Sequence, residues 1–183
     1  MRYRDKVWGM DREAEWESLL PSRGLDGIES KGKWSRDGDA VTGEAGNEGA
    51  HLIFGKDDWR DYEVKCRVTA ESGGNAQILF RLSEDGTKGY MLDLLYGWQA
   101  VAISRIERGA SVPVLKLSVV NHELRHGRGY DVELAVRGAS LTSYVEGKLV
   151  NQVTSFDHEK GRLGLVVWNG KTIFERPMYR RLG

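Results

Sequence analysis

The stretch that most constrains the fold is YDVELAVRGASLTSYVEGKLV, residues 130–150. Tyr130, Val132, Leu134 and Val136 alternate with Asp131, Glu133, Ala135 and Arg137. A period of two is the signature of a strand with one apolar and one polar face. Gly138-Ala139-Ser140 supplies turn residues, and Leu141–Val145 reads as the returning strand. Glu146-Gly147-Lys148 then turns the chain again before Leu149 and Val150. Two adjacent hairpins predict an antiparallel sheet. Because an isolated hairpin is marginal in water, the remaining strands must cover its apolar face.

The rest of the chain supplies that cover. GKWSRDGDAVTGE reads as two strands about the Asp37-Gly38-Asp39 turn, and His51–Phe54 as a short apolar strand. Trp59–Ala70, Ala76–Ser83, Tyr90–Tyr96, Val101–Ile106 and Val112–Val120 follow, each bounded by Gly-rich turns. Arg162–Trp168 and Thr172–Phe174 form a hairpin about Asn169-Gly170, and Met178–Leu182 reads as a last strand. Turn signals at roughly 8–12-residue spacing and no βαβ alternation predict an all-β, antiparallel two-sheet β-sandwich. Residues 1–183 form one domain in this reading, with 1–20 a peripheral N-terminal segment. Within that segment Asp11–Leu20 fits a short helix capped by Asp11. Equally, it fits an edge segment laid down by Trp16, Leu19 and Leu20.

Charge and cysteine usage narrow the function classes. Lys plus Arg and Asp plus Glu are both 27, so no basic excess points to nucleic acid. No apolar run is of membrane length and residues 1–16 carry no secretory leader, so a membrane partner is not expected and a complete chain would be cytoplasmic. The one cysteine, Cys66, falls on the apolar side of Tyr62, Val64, Cys66 and Val68, where a core thiol is expected.

The order of these pieces resembles the concanavalin A-like jelly rolls. Among them it is most similar to the 3-keto-disaccharide hydrolase-like family, related to the laminarinase-type glucanases. The resemblance runs from Trp16 to Leu182 and rests on WESLLPSRGLDGI, DYEVKCRV, NAQILFR, GYMLDLL, YVEGKLV and TIFERPMYRRL in that order. It implies a jelly roll acting on or recognising saccharides. Met91 stands where the family carries a Glu after Gly-Tyr, Asp93 where it carries Gln, and Ala76-Gln77 where it carries Ser-Gly. An acid lost from the ligand face weighs against catalysis more than against the fold.

The candidate ligand residues are therefore Arg81 and Asp93, read as a polar pair on an apolar wall, with Tyr90, Trp98 and Trp168 as stacking partners. Trp98 and Trp168 lie in or beside turns, where sandwich folds carry their binding residues. For catalysis, a retaining glycosidase needs two carboxylates about 5–5.5 Å apart, and Glu63 with Asp93 is the one pair that offers itself. No laminarinase-type run of paired acids is present. His122-Glu123-Leu124-Arg125-His126 matches the zincin pattern, but that chemistry needs both histidines on one helical turn, and the alternating strands on either side speak against a helix. No cofactor is expected. Calcium is the metal that Asp57-Asp58 and Asp37/Asp39 leave open, although neither cluster offers an ordered ligand run. The reading is a non-catalytic saccharide-binding sandwich, with a glycoside hydrolase or lyase and a protein-interaction sandwich as the alternatives.

Overall fold

A computed structural model describes residues 14–182. The strands are β1 (Glu17–Ser18), β2 (Glu29–Lys31), β3 (Lys33–Asp37), β4 (Ala40–Ala45) and β5 (Ala50–Phe54). They continue as β6 (Tyr62–Ser72), β7 (Asn75–Leu82), β8 (Lys88–Leu95), β9 (Ala100–Glu107) and β10 (Val114–Asn121). The last are β11 (Gly129–Arg137), β12 (Ser140–Val145), β13 (Lys148–Thr154), β14 (Arg162–Trp168) and β15 (Gly170–Arg181). They form two antiparallel sheets. The first has the order β13-β12-β11-β6-β15-β4-β3, with β1 added against β15, and the second has the order β10-β9-β8-β7-β14-β5-β2. This is the expected sandwich.

The hairpins at 130–150 form as read, with Leu134 opposite Ser143 and Leu141 opposite Val153. Their apolar side, including Tyr130, Val132, Leu134, Val136 and Leu141, is buried against Leu52, Phe80, Tyr90, Leu92 and Ile103 of the second sheet. Cys66 joins this core, and burial raises its thiol pKa well above the usual range, so it is a packing residue.

Two elements differ from expectation. Thr172–Phe174 and all but the last residue of Met178–Leu182 belong to one long strand, β15, with a bulge between Glu175 and Met178. Arg176 has φ 47 there, and the bulge lets Pro177 sit inside a central strand without breaking the ladder. Of Asp11–Leu20, the first residues lie outside the described ones, while Glu17 and Ser18 pair with Tyr179 and Met178 rather than forming a helix. Leu20 then enters the core, which is where burial gains most.

Candidate functional site

The seven-stranded sheet carries a hollow of about 540 Å³ on the face turned away from the core. Cross-strand register aligns its floor. One row across all seven strands reads Val119, Ala102, Asp93, Gln77, Val166, His51 and Lys31. The next reads Lys116, Ser104, Met91, Leu79, Gly164, Ile53 and Glu29. The middle of the second row, Met91, Leu79 and Ile53, is apolar, and Gly164 yields its place there to the Ile53 and Leu79 side chains. Asp93 stands in the middle of the floor, on β8.

Asp93 is 1% exposed. Its Oδ2 accepts a hydrogen bond from Gln77 Nε2 at 3.2 Å and lies 3.5 Å from both Asn75 Nδ2 and Lys116 Nζ. Its Oδ1 has no partner. A buried carboxylate oxygen without a donor costs free energy, so it must be balanced elsewhere in the fold or by a ligand. Burial pushes the carboxyl pKa up to about 6, against the pull of the Lys116 ammonium and the Gln77 amide.

Gln77 also ties the acid to an aromatic wall, because Trp168 Nε1 donates to Gln77 Oε1 at 3.0 Å. The indole is half-buried and lies against Gly49, where φ is +70 and a Cβ would stand 3.1 Å from the ring. Glycine therefore serves twice here, accepting the left-handed backbone and letting the ring approach it. On the other side, the Lys116 ammonium that touches Asp93 also lies 5.8 Å from the centroid of Trp98, which is 67% exposed. Along the far wall, burial holds the His51 imidazole below its usual pKa. The cations Lys31, Arg108 and Arg162 add to this while Glu29 opposes it, so the ring is neutral near pH 7.

The structure brings Asp93, Trp168 and Trp98 into one neighbourhood and separates the other sequence candidates from it. Arg81 does not pair with Asp93. It has φ 47, and its guanidinium donates to Arg60 O at 3.0 and 3.1 Å, His158 O at 3.1 Å and Asp61 Oδ1 at 3.1 Å. Tyr90 is wholly buried in the core, stacked on Phe80, with its hydroxyl bonded to Ser155 and accepting from His158 N. It presents no face to a ligand.

Glu63 projects from the outer face of the other sheet, so the sandwich core separates it from Asp93 and the two cannot flank one glycosidic bond. There it lines a second, smaller hollow with Trp16. Burial works against its ionised form, yet bonds from Arg137 and Arg180 occupy both oxygens and hold it below its usual range. The Trp16 ring is covered by Lys65 at 4.1 Å and Arg180 at 4.7 Å. With its acid and its aromatic ring already engaged, that hollow has less to offer a ligand.

The zincin-like string lies in the loop between β10 and β11. His126 Nε2 is 2.9 Å from Gly73 O and its ring stacks on Tyr96, while His122 meets the edge of Tyr130. Glu123 pairs with Arg125, and the segment has no helical turn to align the two histidines. Asp57 pairs with Arg162 at 3.3 Å. Among the described residues no group of three or more His, Cys, Asp or Glu side chains is placed to hold a metal ion.

Among the residues of the hollow that were not site candidates from sequence are Gln77, Lys116 and His51. Gln77 could have been found, since a polar residue two before Leu79 shares its outward parity. Lys116 and His51 come from strands whose register no local signal sets.

Known proteins share parts of this sequence and its fold. A levanase from Bacillus sp. (strain L7) is 32% identical over 116 residues, which is 62% of this chain and 12% of that protein. An extracellular exo-alpha-L-arabinofuranosidase from Streptomyces chartreusis is 28% identical over 121 residues, 64% of this chain and 14% of that protein. The chain thus spans about an eighth of the length of these curated relatives. Carbohydrate binding module CBM66 from Bacillus subtilis shares the fold, with a TM-score of 0.74 at 16% identity, covering 92% of this chain and 97% of that one. The family described as "3-keto-alpha-glucoside-1,2-lyase-like domain" matches residues 15–178, and the chain belongs to it as a carbohydrate-related domain.

Proposed function

We propose that this domain binds a saccharide in the hollow over β7 and β8 and does not cleave it. The observation that carries the reading is Asp93 Oδ1, a buried acceptor without a donor, set among aliphatic side chains beside the Trp168 indole. A sugar ring offers the complement: hydroxyl donors at its edge and C–H groups on its face. One hydroxyl would satisfy Oδ1 through a charge-assisted bond, and the ring would cover Met91, Leu79 and Val166. Gln77 and Lys116 fix the carboxylate beforehand, so little ordering is left to be done on binding.

Against cleavage stands the lack of a second fixed acid. Among the described residues, Glu48 on the wall has a side chain 90% exposed and turned towards Lys31, and Glu29 at the edge of the floor is four strands from Asp93 and paired with Arg162. Glycoside hydrolysis by the common routes needs two positioned carboxylates. The names of the similar enzymes and of CBM66 support a carbohydrate ligand.

Calorimetric titration of the domain with mono- and oligosaccharides of fructose, arabinose and glucose tests this directly, with product analysis run alongside. Binding without turnover is the expected result. Trp168→Ala should weaken binding about tenfold, the scale of one aromatic contact, and Trp168→Phe should recover most of it. Turnover that disappears in Asp93→Asn would instead establish a hydrolase or lyase.

A further inference from the structure

We infer that the hollow is the first of two sugar subsites and that Trp98 is the platform of the second, so that the preferred ligand is an oligosaccharide chain rather than a single sugar. This rests on the carbohydrate reading of the hollow.

Trp98 precedes β9 in the short turn after β8, the strand that carries Asp93. Although 67% exposed, it is not turned off into solvent at random. One ammonium, Lys116 Nζ, lies 3.5 Å from Asp93 Oδ2 and 5.8 Å from the Trp98 ring centroid. The acid and the indole are therefore no further apart than those two contacts together, a reach that adjacent units of an oligosaccharide can span.

The surface between them is suited to a chain. Leu95 and Ala100, paired beside the turn, pack with Ala102 between Asp93 and Trp98, and Val119, 45% exposed, flanks them on β10. An exposed indole that continues an apolar strip leading out of a binding hollow is the kind of surface that marks a ligand path.

The two ends of the path differ in character. At the Trp168 end the ring is half-buried, hydrogen-bonded through Gln77 and backed by Gly49, a rigid seat that selects one sugar. At the Trp98 end the indole has a lysine on one side and is otherwise largely exposed. Such a platform stacks a sugar face of any hydroxyl pattern. It adds affinity per unit of chain and little selectivity, as aromatic platforms do for other repeating ligands.

The test compares affinity with chain length in wild type, Trp98→Ala and Trp98→Phe, using whichever of the fructose, arabinose or glucose series the wild type binds. In the wild type, affinity should rise about tenfold from the monosaccharide to the disaccharide or trisaccharide. Trp98→Ala should lose that increment, with the loss confined to the longer chains, and Trp98→Phe should restore it. An unchanged melting temperature in both variants checks that the fold is intact. A wild type indifferent to chain length, or a Trp98→Ala variant with wild-type affinity for the longer chains, would overturn the second subsite while leaving the first in place. No binding of any probe by the wild type would sink the carbohydrate reading and this inference with it.

Discussion

Arg81→Ala will lower the unfolding free energy by about 3–5 kcal/mol and leave saccharide affinity where it was. The side chain is 2% exposed and holds three backbone and side-chain partners at once: the carbonyls of Arg60 and His158 and the carboxylate of Asp61. Truncation orphans two carbonyl acceptors, each worth about 1–3 kcal/mol when left unpaired, and opens the space the guanidinium filled. The pair with Asp61 adds less, since that carboxylate is 38% exposed and water can replace the partner. For a domain of this size the melting temperature should fall on the order of 10 °C.

Arg81→Lys should recover only part of the loss, because one ammonium cannot reproduce the planar fork that bonds Arg60 and Asp61 together. Chemical denaturation of both variants beside a sugar titration checks the whole pattern. Wild-type stability combined with lost binding would show that Arg81 meets the ligand after all.

Asp93→Asn should do the reverse: raise stability at neutral pH and abolish most of the binding. The carboxyl pKa is raised from 3.8 to about 6 by burial, so the folded state holds the proton more tightly than the unfolded chain does. Its contribution to stability is therefore fully present below pH 3.8 and is lost as pH rises through about 6. At one pH unit per 1.36 kcal/mol, the ionised acid costs the fold about 3 kcal/mol at neutral pH. An uncharged amide escapes most of that cost. It can still accept from Gln77 and Asn75, but it places an N–H₂ where the orphaned Oδ1 stood. Losing the charge-assisted bond should weaken binding by about 1.5–3 kcal/mol.

Binding in the wild type should follow the opposite pH course to stability. The ionised carboxylate accepts from the ligand, so affinity is present above about pH 6 and declines below it as a proton takes the free oxygen. The charged groups that face the acid are Lys116 nearest and then Lys31, Arg108 and Glu48 along the walls, and burial holds the His51 imidazole below its usual range. Titrations between pH 5 and 8 on wild type and Asp93→Asn separate these effects. A flat wild-type affinity profile, or an asparagine variant no more stable than wild type at neutral pH, would show that Asp93 is not the buried, ligand-facing acid described above.

Both predictions turn on a distinction that strand alternation carries only in part. Tyr90 and Asp93 are three residues apart, so an unbroken strand must put them on opposite faces, and β8 does so. That much was available from parity. Arg81 was different. Its φ of 47 interrupts β7, and the side chain turns towards Arg60 and His158 instead of following the Gln77–Leu79 parity onto the outer face. A bulge is set by the neighbouring strand and by Gly161, where a Cβ would stand 2.4 Å from the Arg81 carbonyl carbon, and nothing in AQILFRLS announces it.

The sequence by itself determined the sandwich, the turn positions and the pairing of the hairpins at 130–150, because period-two alternation and glycine turns are local properties. It also marked Asp93, Trp98 and Trp168 as residues needing an explanation. The tertiary structure alone decided that they meet. YMLDLLY is apolar on both faces, so its own pattern cannot say which one turns to the core. Only pairing with β7 and β9, and the covering of Leu92 and Leu94 by the other sheet, directs Asp93 outward. Gln77, Lys116 and His51 reach the same hollow from strands separated along the chain by turns and bulges. The contacts that make a site of them depend on register across the whole sheet, a long-range property that no single stretch encodes.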